Sequence, residues 1–184
     1  MKTSVQMYSD TVKRFIESLE ELARSESRGE LAVLRRNAGE SLGTSRGAIG
    51  LFYRLLPARF GDREEIFFLV ATLFPWNRIE ASEGNFGQSM ARLRAKTDST
   101  ALDRRMTILL DADFARSDNG TIRPGELGFR LRQAVKLLAS QEIGVDWRRL
   151  LVDLLNWSHP DRWVQREWAR AYFGLSAGEL PKKN

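Results

Sequence analysis

Arginines recur in this chain as close pairs: Arg35 with Arg36, Arg92 with Arg94, Arg104 with Arg105, and Arg130 with Arg132. Arg46, Arg54, Lys96, Arg123 and Lys136 fall among them. A guanidinium is a planar fork of donors that matches phosphate oxygens and stacks on bases. A set of such groups neutralises a nucleic-acid backbone, releasing a condensed counterion at each contact, without reading base sequence. In "GFRLRQAVKLL" (128–138), Leu131, Val135 and Leu138 recur at helical spacing and mark one buried face. Arg130, Arg132 and Lys136 must point elsewhere, with no acidic residue inside the stretch to answer them.

The charge balance agrees with this chemistry. Lysine and arginine number 29 against 24 carboxylates, a net charge of +5, and 23 of the cations are arginine. The isoelectric point near 9.9 falls in the range where nucleic-acid binding is the first class to test. A GC-rich genome would give the same arginine bias, so its distribution matters more than its size. Residues 28–59 hold six cations and two carboxylates, and residues 92–136 hold ten and six, so the excess is local. Phe52 and Tyr53, beside Arg54, either stack on bases as in single-strand binders or belong to the core.

Other chemistries lack their parts. There is no cysteine, and His159 is the only histidine. A thiolate site, a zinc site or an imidazole-based catalytic pair therefore has almost nothing to be built from. Asp111 and Asp113 begin a calcium-loop pattern, but Ala115, Arg116 and Ile122 occupy later positions where oxygen ligands or a glycine are needed. "GESLGTS" has no lysine after its glycines and is not a phosphate-cradling loop. Nothing in these residues argues for an enzyme, a cofactor or a metal. The longest apolar run, 66–76, has 11 residues, whereas a membrane span needs about 20. The first residues lack a signal-peptide pattern. A cytoplasmic protein that does not engage membranes is expected.

The elements that must carry these cations read as helices. Apolar residues recur at helical spacing over about 4–25, and 29–39 is a short helix closed by Gly39. Asp62 is expected to cap an all-apolar helix that Pro75 ends. Helices follow over about 89–97, 99–113, 127–140, 146–157 with Asp146 as cap, and from Ser158 or Asp161 to Gly174. The segment 117–126 reads as a turn-rich loop, and no alternating strands with hairpin turns are evident. The chain is expected to be all-α and two-lobed, with seven to nine helices. An N-terminal helical domain (1–90) would precede a C-terminal bundle of about four helices (91–184). Arg148 and Arg149, at a helix start where the dipole disfavours cations, hint at an external anion. The stripe Arg162, Arg166 and Arg170 has carboxylates nearby in sequence and is left out of the site.

Taken in order, "VLRRNAGESL…FYRLLP", "LDRRMTILLDAD", "FRLRQAVKLLASQEIGVDWRRLLVDLLNW" and "VQREWARAYFG" resemble the small-subunit (CasB) family of the type I-E CRISPR surveillance complex, Cascade. The resemblance spans roughly residues 8–174 and is loosest at "SEGNFGQSMARLR". It implies an all-helical, two-lobed, non-catalytic subunit, present as two copies in a ribonucleoprotein. Its partners would be other Cascade subunits, crRNA and target DNA, including the single strands of the R-loop. Base pairing then reads sequence while protein holds backbone. Residue by residue, the resemblance rests on Arg35, Arg36, Arg54, Arg104, Arg105, Arg130 and Arg132. The competing expectation from the residues is a helical adaptor whose basic face binds an acidic protein.

Overall fold

The computed structural model describes residues 4–25, 27–81, 84–97 and 99–174. The most apolar element organises the chain. In α4 (Glu64–Leu73) every residue from Glu65 to Leu73 is buried, so neighbours cover it on all sides. Those neighbours are α2 (Arg28–Arg36), α7 (Gly125–Ser140) and α8 (Trp147–Leu155). Helix α1 (Ser4–Arg24) lies against α8 and α2, and α3 (Ile49–Leu55) against α1. Val5 and Tyr8, expected on the apolar face of α1, have side chains outside the described residues. Helices α5 (Phe86–Thr97), α6 (Ala101–Asp111) and α9 (Trp163–Phe173) complete an all-α protein.

Three local expectations are corrected. Asp62 does not cap α4; it lies in a 3-10 turn, Gly61–Arg63, that leads into the helix. The last helix starts later than Ser158 or Asp161, after Arg162, whose φ of 48° puts it in the left-handed region. The segment read as a loop forms a two-residue antiparallel ladder, β1 (Ala115–Arg116) with β2 (Ile122–Arg123). No period-2 pattern could announce it, because a two-residue strand is too short to alternate. Asp146 does cap α8, accepting the Arg149 backbone N–H at 2.9 Å.

Aromatic rings fill the space around α4 and α5. Phe15 meets Phe67 edge-on at 5.1 Å between centroids, and Phe52 meets Phe68 at 5.3 Å. Phe52 is fully buried in this group, so it is core and not a base-stacking surface. Trp157 and Trp168 meet edge-on at 4.9 Å, with Phe86 against Trp168. Buried indole N–H groups need acceptors. Trp157 donates to the Ala112 carbonyl, Trp147 to the Asn77 carbonyl, and Trp168 to Asp153 at 2.7 Å.

The apolar cluster runs without a break from Val12 to Tyr172. The expected division between residues 90 and 91 falls inside α5, which packs along α9 as one element. Gly87 makes that contact close, since a Cβ there would collide with the Trp168 carbonyl oxygen. Gly87→Val is therefore expected to destabilise the protein by about 1–3 kcal/mol, as overpacking does. Urea denaturation would read this as a lower midpoint.

Asp153 is buried and accepts from Trp168 and from the Arg149 Nε at 2.9 Å. Arg149 also pairs with Glu167 at 2.7 Å, and Arg148 with Glu17 at 3.3 Å. These two arginines are thus spent within the fold and do not wait for an external anion. Burial raises the Asp153 carboxyl above its usual range, and the Trp168 and Arg149 contacts oppose that shift only in part. An acid with a raised folded pKa keeps its proton in the fold after the unfolded chain has lost it. Stability from this group therefore falls as pH rises from its ordinary value of 3.8 through the folded value. Carboxyl NMR titration is expected to place the Asp153 midpoint above 3.8.

Candidate nucleic-acid interface

The turn that closes α4 builds the centre of the cationic face. Pro75 stops the helix, and Trp76 projects half-buried between α2 and α7. The Arg35 guanidinium lies 3.9 Å from the Trp76 ring centroid, and the Lys136 Nζ lies 3.7 Å from it. An indole face attracts cations through its quadrupole, so one ring holds two like charges beside each other. Trp76 Nε1 is buried and meets no hydrogen-bond acceptor among the described residues.

Arg132 joins the same place by a different bond. Its Nη1 donates to the Ala38 carbonyl at 3.0 Å, tying α7 to the chain just after α2. Gly39, at φ +86°, takes a left-handed conformation that side-chain-bearing residues rarely adopt, and Arg132 packs beside it. Arg132 is therefore partly structural, a role its place in a run of cations did not disclose.

Arg36 and Arg46 are brought together through Asn37, which is buried. The Asn37 Nδ2 donates to the Val33 carbonyl at 2.8 Å and to the Arg46 carbonyl at 3.1 Å, and its Oδ1 accepts the Arg46 N–H at 3.0 Å. These bonds fold the glycine-rich segment 39–47 back against the end of α2. Glu65 holds the segment from the other side, accepting the Leu42 N–H at 2.9 Å. Burial raises the Glu65 carboxyl, while the Leu42 hydrogen bond and the charge of Arg123 pull it back down. Arg123, exposed on β2, thus sits within electrostatic reach of this loop anchor.

Further along α7, Arg130 pairs with Glu126 at 3.0 Å, one turn away and just outside the acid-free stretch. Arg105 on α6 lines the same small crevice as Arg130 and Gln133. Arg104, one residue earlier on α6, is exposed and forms no ion pair among the described residues. Phe129 stands out of the surface, 44% exposed, with Arg130 and Arg132 at 5.4 and 5.6 Å from its ring. Sequence reasoning singled out Phe52 and Tyr53 and missed Phe129. The signal was present, since residue 129 falls off the buried face defined by Leu131, Val135 and Leu138. Tyr53 is exposed, and its hydroxyl donates to Glu64 at 2.8 Å.

Other cations are placed elsewhere. Arg54 pairs with Glu30 and lines a crevice against α1. Arg94 pairs with Asp103 at 3.0 Å, and Asp103 also accepts the Tyr172 hydroxyl at 2.9 Å, so Arg94 belongs to a junction of α5, α6 and α9. Burial and the Asp103 hydrogen bond push the Tyr172 hydroxyl pKa far up. Arg92 is half-buried on α5, and Lys96 donates to the Gln141 carbonyl at 2.6 Å. Arg162 reaches the end of α6, donating to the Leu110 carbonyl at 2.6 Å.

The fold and this surface define a class: an all-α protein that carries a band of cations on α2, α7 and the turn that closes α4. Among the described residues no group of three or more His, Asp or Glu is placed to hold a metal, and no helix is long and apolar enough to cross a membrane. The family model for CRISPR-associated protein Cse2 matches residues 30–173, and the chain belongs to that family. A CRISPR-associated protein Cse2 from Thermus thermophilus is 36% identical over 124 residues, 66% of this chain. The matched stretch spans 64% of that relative's length. The crystal structure of CasB from Thermus thermophilus has a TM-score of 0.71 and 28% identity, covering 89% of this chain and 98% of that one. A chain from a CRISPR RNA-guided surveillance complex shares the fold, with a TM-score of 0.70 and 20% identity over 90% of this chain and 93% of that one.

Because Arg132 bridges two elements and Arg36 and Arg46 do not, their truncation should differ. Arg132→Ala is expected to destabilise the protein by about 1.5–3 kcal/mol, the range for a hydrogen bond to a charged group. Arg36→Ala and Arg46→Ala should each stay within about 0.5 kcal/mol. Thermal and urea denaturation of the three variants would separate the bridging cation from the presented ones.

Proposed function

We propose that this chain is the non-catalytic small subunit of a Cascade-type CRISPR surveillance complex, holding crRNA, target DNA and the displaced strand of the R-loop by their backbones. The gathering of Arg35 and Lys136 on Trp76, with Arg132 held on the Ala38 carbonyl and the Arg46 backbone tied to Asn37 next to Arg36, carries the reading. Cations fixed before binding lose little side-chain freedom when an anion arrives. Donors of this kind, with no catalytic grouping among them, suit backbone contacts that are blind to base sequence. Family membership supports the same assembly, in which other Cascade subunits and a second copy of this chain are its protein partners. The subunit works in the cytoplasm. Its N-terminal helices (1–90) and C-terminal bundle (91–184) act as two lobes.

Fluorescence anisotropy of labelled single-stranded DNA across a salt series tests the reading. If about four phosphates are neutralised, log K is expected to fall with log salt at a slope near −3, whatever the base sequence. Arg36→Ala with Arg46→Ala should weaken binding and flatten the slope by about 1.4, two contacts at about 0.7 each. Salt-insensitive or absent binding, with capture of an acidic protein instead, would establish the adaptor role and overturn this one.

A further inference from the structure

A second cationic site lies on the other side of Arg35. A crevice of about 500 Å³ is lined by Ala23 at the end of α1, by Arg28, Leu31, Ala32 and Arg35 of α2, and by Pro75 and Arg78. Three arginines line it and no carboxylate does. Among the described residues none of the three arginines makes an ion pair. The remaining lining is apolar, from Ala23, Leu31, Ala32 and Pro75. Arg28 stands at the first position of α2, where the helix dipole already adds positive potential. Glu30, the acidic residue of that first turn, is committed to Arg54 in the crevice beside α1. Glu20 and Glu80, which line the neighbouring crevice on the far side of Arg78, form no ion pair with it among the described residues.

The turn that closes α4 holds Arg35 in advance and fixes the backbone from which Arg78 extends. Trp76 carries Arg35 on its ring. Asn77 anchors the backbone beside Arg78, donating from Nδ2 to the Ile143 carbonyl at 2.8 Å and accepting from the Trp147 indole at 3.0 Å. Three like charges around an apolar floor are costly without a counter-charge and favourable with one. A cavity of this size falls within the range that takes a small ligand. Its wall suits a phosphate and its floor suits the face of a base.

We propose that this crevice binds one 5′-nucleotide unit, with the phosphate on Arg28, Arg35 and Arg78 and the base on Leu31, Ala32 and Pro75. The unit comes from a strand lying on the band described above or from a free nucleotide. The first source rests on the proposed function, and the second does not. An acidic peptide would satisfy the arginines but leave the apolar floor uncovered.

Methyl NMR of the full chain, following Ala23, Leu31 and Ala32, tests the site. Thymidine 5′-monophosphate is expected to shift the methyls of these three residues in the millimolar range, while thymidine and inorganic phosphate shift them far less. Arg28→Ala with Arg78→Ala should weaken the nucleotide by about tenfold, as loss of charge-assisted contacts implies. The same variant should lower the salt slope of single-strand binding by about 1.4 if the unit belongs to a strand. An unchanged slope with the nucleotide effect intact assigns the site to a free nucleotide. No shift with thymidine 5′-monophosphate, or shifts with hexaglutamate alone, would overturn the proposal. Salt-dependent strand binding measured in parallel on the parent protein keeps that failure distinct from failure of the proposed function.

Discussion

Burial of α4 on every side is the constraint from which the rest of the architecture follows. Its run from Ile66 to Leu73 exposes almost nothing to solvent, so helices must close round it. A partly covered helix of that composition would leave several large apolar side chains in water, each worth about 1.5–3 kcal/mol when fully buried. Closing the shell brings α2 and α7 together although about 90 residues separate them in sequence. Polar devices mark both ends of the apolar run. Glu65 receives the loop after α2 at one end, and the Pro75–Trp76 turn delivers a ring between α2 and α7 at the other. The cationic face is thus a consequence of how the core is sealed.

Arginine serves two ends in this chain, and the partners available to each residue divide them. Around α5, α8 and α9, guanidinium groups meet carboxylates: Arg94 with Asp103, and Arg149 with Asp153 and Glu167. On α2 and α7, Glu30 and Glu126 take Arg54 and Arg130, while Arg35, Lys136 and Arg132 rest on an aromatic face or a backbone carbonyl. A cation on a ring or a carbonyl keeps its full charge uncompensated, whereas one in an ion pair does not. The net positive field therefore concentrates where neutral groups hold the cations. Such a field draws polyanions and raises their rate of encounter.

Most of the helices were legible because each carries one apolar stripe at helical spacing, as Leu131, Val135 and Leu138 do in α7. The Asp146 cap was legible because a cap acts within four residues of its own position. The β1–β2 ladder was not, since two-residue strands carry no period. The start of α9 was misplaced because the chain turns on Arg162 in a left-handed conformation, which propensity assigns to glycine or asparagine. Among the candidate cations, Arg35 and Lys136 rest on the Trp76 ring and Arg36 is exposed. Arg54 and Arg94 are ion-paired, because Glu30 and Asp103 reach them only after folding.

Sequence alone determined the all-α class, the excess of positive charge in two segments, and the lack of any cysteine. Each of these depends on residue identity or on spacing within one helix, which short-range physics expresses directly. Tertiary structure alone decided which cations share a face, and that Phe129 stands out beside them while Phe52 is buried. It also decided that Trp76 gathers charges from two helices, and that Arg28 and Arg78 meet Arg35 across a crevice. Those arrangements depend on how helices far apart in the chain close round α4, and no local pattern of residues encodes the angle at which two such helices meet.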